Sequence, residues 1–237
     1  MHVLAVGAHS DDMDFFCGGT LARFAADGHN IGICSLTDGR SGGKADLPDQ
    51  LAELREAEFR ASATVLNATA FWPGIEDGML FNNLETRLLL VEIIRSFNPH
   101  LLITHPPNDY HPDHVAASHL VMDASFLARN RNISTRSVRI PGVPPVLFCD
   151  SELGHSFLPD QYVDITDVWE QKALMLEVHH SQYDGWINPR TGSPENWVLD
   201  RASVLSRFRG LQAGVYYAEA FRSFRAHGRV KPLRLLP

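Results

Sequence analysis

Short apolar runs alternate with stretches of helical spacing from the first residues of this chain, and that alternation confines it to an α/β fold with a mainly parallel sheet. His2-Val-Leu-Ala-Val-Gly7 reads as a buried strand. A polar stretch and Gly18-Gly19 follow, and a short helix is expected from about Thr20 to near Gly28. Asn30-Ile-Gly-Ile-Cys-Ser-Leu36 reads as a second strand, with the glycine-rich Asp38-Gly-Arg-Ser-Gly-Gly43 as the loop after it. Leu51, Leu54, Ala57, Ala61 and Val65 recur at helical spacing with Arg55, Glu56 and Glu58 off that stripe, predicting an amphipathic helix before a strand over 69–72. Leu84, Leu88, Val91 and Ile94 predict a second one, stopped by Asn98-Pro99 ahead of a buried strand over 100–104. Another helix is expected over 114–127. Beyond Asn130 the periodicity weakens to strands over 146–149 and 162–165 and a helix over 168–179, and the C-terminal region carries no clear period.

The 237 residues suffice for one large α/β domain or two small ones. The prolines of Pro141-Gly-Val-Pro-Pro145 mark a turn rather than a linker, so one domain over 1–237 is expected. Hydrophobic and charged contents of 44% and 21% are ordinary for a soluble globular chain, and no apolar run approaches the roughly 20 residues of a membrane span. Val3 to Ala8 is too short for a signal-peptide core and lacks a basic leader, which points to a cytoplasmic location. Cys17, Cys34 and Cys149 are an odd number without CxxC spacing, as small buried thiols would be. The net charge of −7 opposes a nucleic-acid or anionic-membrane partner and favours a small-molecule substrate, and it leaves a homo-oligomer open.

Chemistry concentrates in two clusters. Ala8-His9-Ser10-Asp11-Asp12-Met13-Asp14 holds an imidazole among three carboxylates, and His111-Pro112-Asp113-His114 is a second polar knot. Either alone reads as a polar turn or helix cap. Two imidazoles and a carboxylate drawn from both give three N/O ligands that suit zinc and leave a position open for water, with ferrous iron as the alternative ion. The first cluster follows strand one and the second follows strand four. In a sheet ordered 3-2-1-4-5 those strands are neighbours whose connections diverge, so a crevice forms there and His9, Asp12 and His114 can converge on one ion. A dinucleotide site is the rival for such an opening, with Asp38 as a ribose ligand. GxGxxG is missing, however, and the carboxylates standing in its place would repel a pyrophosphate.

Ala8-His-Ser-Asp-Asp-Met-Asp with Cys17-Gly-Gly-Thr20, and His111-Pro-Asp-His114, resemble the LmbE/PIG-L-like zinc-dependent N-deacetylases, which include de-N-acetylases of N-acetylglucosamine conjugates. Weaker echoes are Lys172 leading to His180-Ser-Gln182, and Ala218-Glu219 with Phe221. The resemblance implies a Rossmann-like three-layer fold, His9, Asp12 and His114 as metal ligands and Asp11 as general base. It also implies that His111 faces the developing oxyanion and that Asp113 orients His111. Ser10 replaces the family's usual proline and Asp14 its frequent glutamate, which loosens the loop backbone and shortens a contact around the site. Some relatives with this fold are hydratases that add water across a carbon–carbon double bond.

Outside the clusters, Arg55, Asp77 and Gln182 are candidate substrate contacts, and Arg40 is a second arginine able to meet a carboxylate. His105 is expected at the rim, and His179 in the core or at the surface. Residues 181–200, with Tyr183, Trp186 and Trp197 among glycines and prolines, read as an irregular segment able to cover the crevice.

Overall fold

The structure is a computed structural model that describes residues 1–42, 47–226 and 229, the side chain of Leu153 excepted. Gly43, the end of the expected glycine-rich loop, lies outside the described residues. In chain order the elements are β1 (His2–Gly7), α1 (Asp12–Ala26), β2 (Asn30–Ser35), α2 (Pro48–Val65), β3 (Thr69–Phe71), α3 (Leu84–Phe97), β4 (Leu101–Thr104) and α4 (Pro112–Leu127). There follow β5 (Val146–Cys149), a 3₁₀ turn at Glu152–Gly154, β6 (Gln161–Asp164), α5 (Trp169–Glu177), α6 (His180–Tyr183), α7 (Trp197–Ala213) and β7 (Ala218–Ser223).

One seven-stranded sheet runs in the order β3-β2-β1-β4-β5-β7-β6. The first five strands are parallel, in the order the βαβ pattern predicts; β7 pairs antiparallel with both β5 and β6. Alternation along β1 sorts side chains into two cores. Val3 and Ala5 join Met13, Phe16, Leu21, Phe59 and Met175 on one face, whereas Leu4 and Val6 join Leu90, Ile94, Leu120 and Val121 on the other. Helices therefore cover both faces of a buried parallel sheet, the three-layer arrangement expected. Each fully buried Leu, Ile or Val contributes about 1.5–3 kcal/mol, so these two cores carry the fold.

Two elements depart from the sequence reading. Helix α1 begins at Asp12, eight residues before the expected start, and runs through Gly18-Gly19. A Cβ at Gly19 would stand 2.8 Å from Ile165, so this glycine serves close packing inside a helix rather than a break. The N–H groups of Gly19 and Thr20 donate to the Glu219 carboxylate at 2.9 and 2.7 Å, which gives this mid-helix point the donor pattern of a helix start. The C-terminal region without a clear period contains α7 and β7. Helix α7 shows no stripe because Val198, Ala202 and Leu205 face the core while Val204, Phe208 and Leu211 are exposed.

Candidate active site

Strands β1 and β4 deliver the two clusters to one point. Val6 pairs with Thr104, so Ala8 and His105 leave the sheet side by side, and the Ala8 N–H donates to His105 Nε2 at 3.2 Å. Asp12 opens α1, and His111 caps α4, with Asp113 and His114 in its first turn.

His9 Nδ1 lies 3.3 Å from Asp12 Oδ2, His114 Nε2 lies 3.3 Å from Asp12 Oδ1, and the two ring nitrogens lie 3.3 Å from each other. Four ligands set tetrahedrally about zinc at bond lengths of about 2.0–2.1 Å are themselves about 3.3–3.4 Å apart. The donor set fits such an ion in chemistry, and the two ring nitrogens stand at ligand spacing, each facing a different oxygen of Asp12. Burial alone would raise the Asp12 pKa, but His114, His105 and His9 outweigh it and hold the carboxyl well below its usual range. Burial would likewise lower His114, yet Asp12 and Asp109 hold it at about 9. Burial would lower His9 too, but Asp12, Asp113 and Asp77 hold it well above the usual histidine range, so both rings face one carboxylate.

Around these donors stands a ring of carboxylates. His114 Nδ1 lies 3.3 Å from Asp109 Oδ1, and His9 Nε2 lies 3.3 Å from Asp77 Oδ1 and 3.7 Å from Asp113 Oδ2. Second-nitrogen partners of this kind fix the tautomer and orientation of a metal-binding histidine. Asp109 escaped the sequence reading, although its place five residues before His114, in the loop that leads into α4, is the available signal. His105 does not sit at the rim. It is fully buried, stacks on His114 with ring centroids 3.9 Å apart, and lies 3.0 Å from Asp12 Oδ2. Its burial, with His114 beside it, lowers its pKa to about 4 and keeps it neutral.

Asp113 is arranged differently from the expectation. His111 Nδ1 accepts from the Asp113 backbone N–H at 3.2 Å rather than donating to its carboxylate, whose Oδ2 accepts from the Gly78 N–H at 2.8 Å and faces His9. The cause is helical geometry: His111 occupies the N-cap, so its ring receives an N–H from the first turn. With Nδ1 accepting, neutral His111 carries its proton on Nε2. Burial, with His9 and His114 beside it, holds the ring below the usual histidine range.

His9, Asp12, His111 and His114 line a cavity of about 460 Å³ that also takes in Asp11, Arg55, Asp77, Gln182 and Trp197. Asp11 occupies the N-cap of α1 without capping it, and its carboxylate accepts no hydrogen bond among the described residues. Asp77 keeps one oxygen toward His9 and accepts the Ser41 N–H at 3.2 Å on the other. Arg55 is 3% exposed, donates to the Gly39 carbonyl at 2.7 Å and to Gln182 Oε1 at 3.2 Å, and forms no ion pair among the described residues, although its charge helps to hold Asp77 below the usual carboxylate range. A Cβ at Gly39 or Gly42 would stand 2.7 Å from it, so the glycine loop is moulded on the guanidinium. Arg40 instead pairs with Asp38 at 2.6 Å and Asp49 at 3.0 Å, outside the cavity. From the 181–200 segment, Gln182 and Trp197 reach the cavity, but they lie in α6 and at the start of α7 rather than in irregular chain. His179 is buried against Asp14 at 2.7 Å, and His180 is exposed.

A family model described as PIG-L, GlcNAc-PI de-N-acetylase, matches residues 4–125, which span both clusters. The chain belongs to the PIG-L family. Among relatives, the diacetylchitobiose deacetylase of Thermococcus kodakarensis is 29% identical over 229 residues, covering 93% of this chain and 82% of that protein. The 4-oxalmesaconate hydratase of Pseudomonas putida is 28% identical over 193 residues, covering 77% and 74%. A conserved protein of Thermus thermophilus superposes with a TM-score of 0.81 at 30% identity, over 99% of this chain and 98% of that one. This PIG-L member has no helix, among the described residues, long and apolar enough to cross a membrane.

Proposed function

We propose that the protein is a metal-dependent amide hydrolase that removes an acetyl or other acyl group from the nitrogen of an N-acetyl amino sugar or related conjugate. The observation that carries this reading is the uncommitted Asp11 carboxylate, which opens into the same cavity as the three converging donors. His9, Asp12 and His114 would hold zinc, with ferrous iron as the alternative, and a divalent ion there supplies Lewis acidity toward a carbonyl and a more acidic water. Asp11 takes the proton of the attacking water. His111 offers its Nε2–H to the oxygen on which charge develops, and a donor fixed in advance costs no reorganisation at the moment of reaction. Asp11 or His111 then returns a proton to the departing amine. Asp113 acts on this chemistry through the backbone N–H that sets the His111 tautomer and through its carboxylate beside His9. The deacetylase relative and the family model support this reading.

One observation favours a second reading, hydration of an unsaturated carboxylic acid. Arg55 is a buried guanidinium on the cavity wall that forms no ion pair among the described residues, its charge felt by Asp77 but its fork not closed on a carboxylate, and a hydratase is among the relatives. Gln182 shares that wall and Asp77 the wall beside His9, so both readings use them as substrate contacts.

The two readings separate in one experiment. Metal-loaded protein is assayed for amine release from a panel of N-acetyl amino sugars and conjugates, and for hydration of unsaturated carboxylic acids by loss of ultraviolet absorbance. Amine release that falls roughly 10²–10⁴-fold in Asp11→Asn with the metal retained is the expected result. Hydration without amine release replaces it by the second reading, and full amine release by Asp11→Asn removes the assigned role of that residue.

A further inference from the structure

The opposite end of α4 carries a feature that the reaction does not use. From Ala124 to Cys149 the chain contains four arginines and no acidic residue, although the whole protein has a net charge of −7. Arg129, Arg131 and Arg139 converge with Phe126, Asn130 and Asn132 on a cavity of about 340 Å³. Helix α4 has 16 residues and is therefore about 24 Å long, so this cavity is remote from His114 in its first turn.

Arginines at a helix C-terminus ordinarily answer its exposed carbonyls and dipole. Here the buried Arg95 does that work. Its guanidinium donates to the carbonyls of Ala128 at 2.9 Å, Asn130 at 2.7 Å and Ile133 at 2.9 Å, and to Thr135 Oγ1 at 2.6 Å. Those contacts satisfy the carbonyls at the end of the helix and tie the loop to Arg95. Arg129, Arg131 and Arg139 are left with no ion pair or hydrogen bond through their side chains among the described residues. Two acids of the neighbouring helices are engaged elsewhere: Asp123 pairs with Arg87 at 3.1 Å, and Glu92 accepts the N–H and hydroxyl of Ser137 at 3.0 and 2.7 Å.

We propose that this cavity is a second ligand site, one that binds a phosphate-bearing small molecule. Three planar guanidinium forks match the oxygens of a phosphate and are the groups that recognise it most selectively. Phe126, 60% exposed at the cavity edge, adds a ring face for an apolar or planar part of the same ligand. The volume, at the low end for small-molecule pockets, suits a ligand of mononucleotide size.

The test is calorimetric titration of the metal-loaded protein with adenosine monophosphate, inorganic phosphate and adenosine. The nucleotide and inorganic phosphate should bind and adenosine should not. The double variant Arg131→Gln with Arg139→Gln should weaken nucleotide binding roughly tenfold or more, with an unchanged circular dichroism spectrum and unchanged basal turnover. His114→Ala should leave the binding in place. Binding that survives the double substitution, or that disappears with His114→Ala because the phosphate sits at the metal donors, overturns the proposal. So does a failure of the parent protein to bind either phosphate, including the case in which the double variant changes oligomeric state and the patch is thereby a contact between copies.

Discussion

Glu219→Gln is the substitution whose cost the structure fixes most closely. The carboxylate lies in β7, is 3% exposed, and accepts from Lys172 Nζ at 2.6 Å and from the backbone N–H groups of Gly19 and Thr20. Lys172 is 1% exposed. The amide can still accept from one or two of these donors, but it leaves a buried ammonium without a counter-charge, which costs about 3–5 kcal/mol. A lysine escapes that penalty by losing its proton, at about 1.4 kcal/mol for each pH unit below a free amine pKa of about 10.4, which caps the loss at about 4 kcal/mol near pH 7.5. For a chain of this size that is a fall in Tm of about 8–16 °C. Thermal melts of metal-loaded protein followed by circular dichroism measure it, and the deficit should shrink as pH rises toward the amine range. Adding Lys172→Met to Glu219→Gln removes the stranded charge and should restore at least half of the loss. A fall below about 3 °C for the single variant, or a double variant less stable than it, would refute the argument that charge pairing makes Glu219 indispensable.

Metal-free protein should lose stability as pH rises from about 6.5 toward 9. The native state holds the His114 proton up to about 9, so that proton's contribution is complete below the unfolded value of about 6.5 and is lost as pH passes through the folded one. Metal should abolish this slope by taking the proton's place, and identical melting profiles with and without metal would count against it. Gly39→Ala should cost about 1–3 kcal/mol, because its φ is +67° and its Cβ would strike Arg55, and it should raise KM more than it lowers kcat. Arg55→Gln should raise KM at least tenfold for substrates bearing a carboxylate, a loss consistent with about 1.5–3 kcal/mol for a charge-assisted contact, and change it little for neutral ones. Equal effects on both substrate classes would assign Arg55 to positioning the glycine loop.

Most of the parallel sheet was legible because β1, β2 and β4 are short apolar runs, each bounded by polar or glycine residues, and buried parallel strands have no other way to be written. The convergence of His9, Asp12 and His114 followed from counting strands, since the order around β1 and β4 is nearly dictated by handedness and crossover rules. What stayed hidden depends on tertiary context. Gly18-Gly19 looks like a helix boundary until Ile165 is seen packing where a Cβ would be. His105 reads as a rim residue and Asp109 carries no signal of its own, and only the closing of two loops over Asp12 turns them into buried partners of the cluster. Helix α7 was unreadable because its exposed face is as apolar as its buried one, so no period survives in the sequence.

The placement of β7 has a consequence in time. Among the described residues it is the last strand in the sequence but lies second from the sheet edge, between β5 and β6, and β6 has no other neighbour there. At synthesis rates of about 5–20 residues per second, the residues of β6 wait roughly 3–11 s for their partner. The donors at His9, Asp12 and His114 are all made well before that. During the interval the nascent chain exposes an open β5 edge, an uncovered apolar face and a lysine whose counter-charge has not yet been translated. A chain halted before residue 218 would therefore hold every candidate metal donor and still be a substrate for chaperones and proteases, which makes β7 the point at which synthesis commits the described sheet to its fold.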